Sequence, residues 1–305
     1  MELVLDRDET TAGESRQRRS LMDVSYRMLG SAVEAEDVVQ ETYARWFALS
    51  DAQREEIERP TAWLVRVASR ICLDVLGSAR VRREQYVGEW LPEPLPEDGR
   101  WSSQAAAASS SDPADRVTLD ESVGMAMLVV LDTMTPAERV AFVLHDVFAF
   151  TFAEVGEVLE RSPAACRQLA TSARRRVRTA QVGGVRQRND ADVVSAFRAA
   201  WETGNLAALL AVLDPAATVV ADGGGKVAAA LHPVVGDADA AAFFLGVRDR
   251  ARGLEIEGRV VNGEPGLVVR LDGEIVSVLA LHVVRGRVSD VWIVRNPDKL
   301  RPWRG

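Results

Sequence analysis

Apolar positions recur at helical spacing from residue 15 to residue 83. Leu21, Val24, Met28 and Leu29 form one stripe, Gly30 marks a stop, and residues 34–49 carry Val38, Val39, Tyr43, Trp46 and Phe47 on the next. Pro60 interrupts the pattern, and residues 61–83 restart as a long helix with Trp63, Leu64, Val67, Ile71, Val75 and Leu76 inward. One compact helical domain is expected over residues 15–85. An amphipathic stretch at 119–134, followed by a helix start at Thr135-Pro136-Ala137-Glu138, opens a second helical domain over residues 117–180. From about Asn189 the grammar changes. Helices near 190–202, 205–213 and 237–251 precede strand-like runs at 254–261, 267–271, 275–285 and 288–294, rich in Val, Leu and Ile. Residues 189–300 therefore read as a separate α+β domain. Between the helical domains, residues 86–98 are dense in Pro and Glu, and residues 99–116 have the Ser/Ala-rich composition of a mobile linker, so 86–116 is expected to be a connection.

Residues 151–178 carry the most specific local signal. Thr151 with Glu154 three residues later is a capping box, so a short helix should run to about Leu159. Ser162 followed by Pro163 restarts a helix, because Ser accepts free amides and Pro tolerates the first helical position. Two capped helices joined by a tight turn, the second rich in arginine, read as a DNA-binding helix-turn-helix. Residues such as Ala164, Arg167 and Gln168, near the start of the second helix, would reach base edges in a major groove. The bland alternative is a solvated basic face.

Net charge alone points away from nucleic acid, being -8 over 305 residues. Its distribution reverses that inference. Residues 61–85 carry five arginines against two acids, and residues 160–188 carry eight against one, whereas residues 1–60 and 86–135 are acidic. Two basic islands inside an acidic chain suit a protein that touches DNA at two places and something basic elsewhere. The two cysteines, Cys72 and Cys166, match no CxxC or zinc spacing and read as buried thiols. No apolar run approaches a membrane span and the N-terminus is acidic, so a cytoplasmic location without membrane insertion is expected.

Several short runs carry a resemblance. Tyr26-Arg27-Met28-Leu29-Gly30, Ala35-Glu36-Asp37-Val38-Val39-Gln40-Glu41 and Pro60-Thr61-Ala62-Trp63-Leu64 resemble region 2 of the extracytoplasmic-function (ECF) sigma factors of bacterial RNA polymerase, and residues 151–178 resemble their region 4. Trp90-Leu91-Pro92-Glu93-Pro94, Asp222-Gly223-Gly224-Gly225-Lys226 and Asn296-Pro297-Asp298-Lys299-Leu300 are similar to motifs of the SigJ-type group, which has a SnoaL-like C-terminal extension. The resemblance spans nearly the whole chain. It implies two all-α domains followed by a SnoaL-like cone, and RNA polymerase core (β′ clamp and β flap) and promoter DNA as partners. Glu36, Asp37, Val38, Gln40 and Glu41 match the patch that grips the β′ clamp, although acids at a helix start also suit the macrodipole. Arg66, Arg70, Arg80, Arg82 and Arg83 match the track for the melted -10 strand, Trp63 being read as core in preference to base pocket. In the -35 reader, Arg167 and Gln168 are assigned to base edges and Arg174, Arg175 and Arg178 to phosphates, with Cys166 and Leu169 facing the core. Pro163, Ala164 and Cys166 depart from the usual motif and leave the promoter sequence open. The resemblance further implies that Trp90, Pro92 and Glu93, the Asp222–Lys226 loop and the Asn296–Leu300 tail cooperate in regulation.

The tail could instead be an enzyme or a ligand sensor. Acid/base candidates are Asp222, His232, His282 and Asp290, but no paired constellation poises one against another, so no catalytic residue, metal site or cofactor is assigned. His282 shares a strand face with Val278, Ala280 and Val284 and reads as a core histidine. The Gly223–Lys226 run is not a phosphate loop, since Val227 follows the lysine and the leading Gly-x4 frame is missing. A cyclase or isomerase fused to a DNA-binding module, or a regulator whose tail senses a small molecule without recruiting polymerase, are the competing readings. Neither requires residues 30–83. A small-molecule ligand in the C-terminal domain, an anti-sigma partner, the inducing signal and the oligomeric state stay open.

Overall fold

The computed structural model describes residues 2–84, 86–97, 124–180, 190–251 and 253–304, with side chains from residue 15 onward and none for 79–84. The linker expectation for 99–116 and the first residues of the 119–134 stretch lie outside the described residues. Two compact units result. The first draws its described residues from Met1–Val81 and Val130–Ala180, the second from Arg82–Ser102, Glu121–Val129 and Gln181–Gly305.

The helical unit contains α1 (Glu2–Leu29), α2 (Ala32–Phe47), α3 (Asp51–Glu55), α4 (Pro60–Glu84), the end of α5 (Met125–Asp132), α6 (Pro136–Phe142), a π-helical turn (Val143–Val147), α7 (Phe152–Leu159) and α8 (Pro163–Thr179). Caps fix several of these boundaries. The Ser31 hydroxyl accepts the Glu34 N–H, and Thr135/Glu138 and Thr151/Glu154 form reciprocal capping boxes, each satisfying two orphan amides. The π-helical turn has no counterpart in the sequence reading. The inward face of α4 is also rotated from expectation: Leu64, Val65, Ala68, Ile71, Cys72 and Leu76 are buried, while Trp63, Val67 and Val75 are half-buried. Trp63 lies against Trp46 with ring centroids 5.3 Å apart, an aromatic pair at the rim of the core. Buried Arg139 ties the unit together, donating to the Met28 carbonyl at 2.6 Å and to Asp132 at 3.0 Å.

The second unit is a curved six-stranded sheet with helices on one face. Its elements are α9 (Asp190–Thr203), α10 (Leu206–Val212), β1 (Leu213–Asp222), β2 (Val234–Val235), α11 (Asp237–Arg250), β3 (Leu254–Val261), β4 (Glu264–Leu271), β5 (Glu274–Val284) and β6 (Arg287–Val294). Strand order is β2-β1-β6-β5-β4-β3, antiparallel except for β1 beside β6. Asn262-Gly263, Asp272-Gly273 and Arg285-Gly286 close the three hairpins with positive φ at both positions, the geometry of two-residue type I′ turns. Register shifts at Val269/Arg270 and His282/Val283 bend the sheet. On the concave face Phe197, Trp201 and Phe244 pack with Leu279, Leu281 and Ile293; on the convex face Leu91, Met125 and Leu300 pack with Val278, Ala280 and Trp292.

Phe244 is fully buried and contacts Phe197 and Trp201 edge-on, with both centroids 5.0 Å away. Phe244→Ala should cost about 3–5 kcal/mol, read as a loss of unfolding free energy in denaturant.

Candidate functional site

The helix-turn-helix is formed by α7 and α8. Glu160 takes a left-handed conformation at φ 53° to end α7, and the chain then crosses back over Gly156, where a Cβ would sit 2.6 Å from the Arg161 carbonyl oxygen. Ser162 accepts the Ala165 N–H to start α8, and Cys166, Ala170 and Ala173 form its buried stripe. Leu169 is half-buried. This leaves Arg167, Gln168, Arg175 and Arg178 exposed, with the Arg167 guanidinium 5.2 Å from the centre of the Phe152 ring. Arg174 differs from expectation: its Nε donates to Asp146 at 2.6 Å, so it braces α8 against the π-helical turn. Burial alone would raise the Glu138 carboxyl, but the Ser172 hydroxyl, the Thr135 cap and Arg176 together hold it below the usual range.

On α4 the expected strand-binding arginines are engaged by carboxylates and carbonyls of α7. Arg66 pairs with the Glu157 carboxylate, Arg70 donates to the Glu157 carbonyl at 2.6 Å, and Arg59, just before α4, pairs with Glu154 at 3.0 Å. Arg80, Arg82 and Arg83 continue α4, and their side chains lie outside the described residues. On α2, Glu36, Asp37, Gln40 and Glu41 line the outer face, Glu36 pairing with Arg18 at 2.8 Å and Glu41 with Arg45 at 3.0 Å. Val38 does not belong with them. It is 2% exposed because α2 packs its Ala35-Val38-Val39-Thr42 stripe inward, so the apolar neighbour available on this helix is Val33.

The second unit gathers three sequence motifs around one buried carboxylate. Asp222, at the end of β1, has no exposure. One of its oxygens accepts from the Tyr86 hydroxyl at 2.6 Å and the Gly224 N–H at 2.9 Å; the other accepts from the Leu91 N–H at 3.0 Å and Lys299 Nζ at 2.7 Å. Lys299 also donates to the Leu91 carbonyl and stands 4.2 Å from the centre of the Trp90 ring. Asn296 completes the cluster, donating from Nδ2 to the Tyr86 oxygen at 2.9 Å, while Lys226 pairs with Asp298. Gly224, at φ +63°, would place a Cβ 2.4 Å from Asn296 Nδ2, so the loop accepts no side chain there. Beyond Trp90 the chain continues along the β3–β4 hairpin. Leu95 N–H donates to Asn262 Oδ1 at 3.0 Å, Asn262 N–H to the Leu95 carbonyl at 2.8 Å, and Trp303 Nε1 to the Pro94 carbonyl at 2.8 Å. Pro92, Glu93 and Leu300 are buried, and Pro297 is half-buried. Burial, with the Asp222 carboxylate beside it, pushes the Tyr86 phenol well above the usual tyrosine range.

Comparison with known proteins matches residues 15–84 to the family Sigma-70 region 2 and residues 124–177 to Sigma-70, region 4. The chain is 39% identical over 295 residues to the ECF RNA polymerase sigma factor SigJ of Mycobacterium tuberculosis, covering 92% of this chain and 90% of that protein. The chain belongs to the ECF sigma factors. Other similarities agree with this assignment. The probable ECF RNA polymerase sigma factor SigI of the same organism is 33% identical over 299 residues, 97% of each chain. The crystal structure of the M. tuberculosis extracytoplasmic function sigma factor SigJ superposes with a TM-score of 0.74 at 34% identity, over 96% of this chain and 98% of that one. The fold is accordingly that of the SigJ-type group, two helical sigma regions and a C-terminal α+β domain, and the protein is a transcription factor that works with RNA polymerase core and promoter DNA. No helix among the described residues is long and apolar enough to cross a membrane.

Within this sigma factor, Tyr86, Glu154 and Glu157 are the residues that sequence reasoning missed. Tyr86 carried only a weak signal, its place four residues before Trp90; Glu154 was legible only as the capping partner of Thr151, and the pairing of either glutamate with an arginine some 90 positions away left no local signal. The acid/base candidates are dispersed. His232 is exposed, Asp290 accepts from Ser289 at 2.8 Å, and Asp222 is fully occupied by the donors just named. His282 lies on the convex face beside Trp292, its Nε2 buried with no hydrogen-bond partner among the described residues. Burial lowers its pKa against the opposing pull of Asp290 and Asp190.

Two outcomes follow from this geometry. Asp222→Ala removes the carboxylate that meets the largely buried Lys299 ammonium, the Tyr86 hydroxyl and two backbone amides, and should destabilise the sheet unit by about 3–5 kcal/mol; hydrogen exchange should accelerate at Leu91 and Gly224 while α8 is unchanged. Because the folded His282 binds its proton more weakly than an unfolded histidine does, stability should fall as pH drops below the ordinary histidine value of about 6.5. His282→Gln should flatten that part of the melting-temperature profile.

Proposed function

We propose that this sigma factor directs promoter-specific initiation by reading duplex -35 DNA with α8 and the melted -10 strand with α4, while the outer acids of α2 fasten it to the β′ clamp. The observation that carries the reading is the capped α7–α8 pair, which leaves Arg167 and Gln168 exposed in the first turns of α8 and Arg175 and Arg178 exposed further along the same helix. Guanidinium and amide groups near a helix start suit base edges, and arginines further along suit phosphates. The α4 contacts with Glu154 and Glu157 then compete with nucleic acid for Arg59, Arg66 and Arg70. Promoter engagement at -10 therefore requires α7 to release α4. The C-terminal domain regulates this activity through the cluster at Asp222, which joins the Trp90–Pro94, Asp222–Lys226 and Asn296–Leu300 motifs.

DNA binding by the polymerase holoenzyme containing this chain tests the assignment. Arg175→Ala with Arg178→Ala should weaken matched and scrambled duplexes alike and reduce the salt slope by roughly 0.9 per lost phosphate contact. Arg167→Ala should remove about 1–3 kcal/mol of discrimination between them; equal losses on both duplexes would refute the base-edge role. Glu154→Gln with Glu157→Gln, which preserves the α7 capping box, should raise affinity for a -10 single strand by roughly two- to tenfold.

A further inference from the structure

The concave face of the sheet unit encloses a cavity of about 480 Å³ that the reading above does not use. Trp201 of α9, Phe243 and Phe244 of α11, and Leu279 and Ile293 of the sheet form its apolar walls, with the Ala228–Ala230 loop on one side. The volume is in the range that holds a small organic molecule. Polar side chains are few in this lining. Ser277 contributes a hydroxyl, and Arg250 and Arg295 contribute guanidinium groups, with no carboxylate among the lining residues. Among the described residues neither arginine has a carboxylate within ion-pair distance. Arg295 donates to the Ala228 carbonyl, which occupies part of its five-donor fork, and Arg250 folds back over Gly246, where a Cβ would lie 3.1 Å from its Nη1. Burial lowers the Arg295 pKa, as expected of a cation taken out of water without a counter-ion. His282, Asp290, Asp222 and His232 are all absent from the lining, so nothing in it poises an acid against a base.

We infer that this cavity binds an amphipathic organic anion, a small carboxylic acid whose apolar body lies against Trp201, Phe243 and Leu279 and whose carboxylate meets Arg295, with Arg250 as the second cation. A planar guanidinium presents parallel donors to a carboxylate, and the apolar surroundings strengthen that pairing relative to water. An alcohol or amine of the same length would gain the apolar contact alone, and the amine would also meet two like charges.

The test uses the full chain without polymerase, so it is separable from the sigma-factor assignment. The fluorescent anion 8-anilinonaphthalene-1-sulfonate is titrated into the protein and then displaced with octanoate, octanol or octylammonium. Octanoate is expected to displace the dye at concentrations at least roughly tenfold lower than the other two, in keeping with a charge-assisted hydrogen bond. Arg295→Gln should bring octanoate to the level of octanol without moving octanol itself, and Ala230→Trp, which fills the cavity from its loop side, should abolish dye binding. Melting temperatures near wild type would establish that both variants fold; if Arg295→Gln does not fold, Arg250→Gln and the acid-to-alcohol ratio of the wild-type chain decide. Equal displacement by octanoate and octanol, no displacement by any of the three, or an Arg295→Gln protein that still prefers the acid would overturn the inference.

Discussion

A carboxylate with no solvent exposure must have its charge answered inside the protein, and at Asp222 the answer comes from four donors on three stretches of chain. Tyr86, Leu91, Gly224 and Lys299 each supply a donor. Removing any one would leave part of a buried charge unmet, at a cost well above that of a lost surface contact. The requirement acts as a fastener: it holds residues 86–96 and the C-terminal tail on the convex face of a sheet that would otherwise present Val278, Ala280 and Trp292 to water. Of the 37 Lys and Arg residues in the chain only Lys226 and Lys299 are lysine, and both are in this cluster. A compact ammonium can meet a carboxylate and a carbonyl while standing over the Trp90 ring. A planar guanidinium distributes its donors differently.

The helical unit is organised by charge in a weaker sense. Its core is apolar, and its arginines are shared among acids on neighbouring helices: Arg66 with Glu157, Arg174 with Asp146, Arg18 with Glu36. Such partly exposed pairs contribute little stability each. Buried Arg139, by contrast, spans from α6 to the Met28 carbonyl and has no such freedom.

Local chemistry was legible in the sequence and long-range pairing was not. The caps at Thr135, Thr151 and Ser162, and the strand runs at 254–261, 267–271, 275–285 and 288–294, are properties of a few adjacent residues, and the structure places them as expected. Val38 was assigned to a binding face through the resemblance, yet α2 packs it inward with Ala35, Val39 and Thr42; two adjacent valines leave the stripe's phase ambiguous by one residue. The same ambiguity displaced Trp63 and Val67 on α4. Pairings such as Arg70 with the Glu157 carbonyl, or Tyr86 with Asp222, depend on how distant segments fold back on one another, and no local pattern encodes them. The Trp90–Pro94, Asp222–Lys226 and Asn296–Leu300 motifs were found through resemblance; their convergence on one carboxylate is visible only in three dimensions.

Under the proposed function, this sigma factor carries its own regulator, held together through Asp222. Run-off transcription by purified RNA polymerase core on a matched promoter, with the wild-type chain and with Asp222→Asn at matched folded concentration, measures it most directly. The account predicts start-site-selective transcripts from both proteins at different yields. No selective initiation with the wild-type chain, or identical yields from the two, would contradict it.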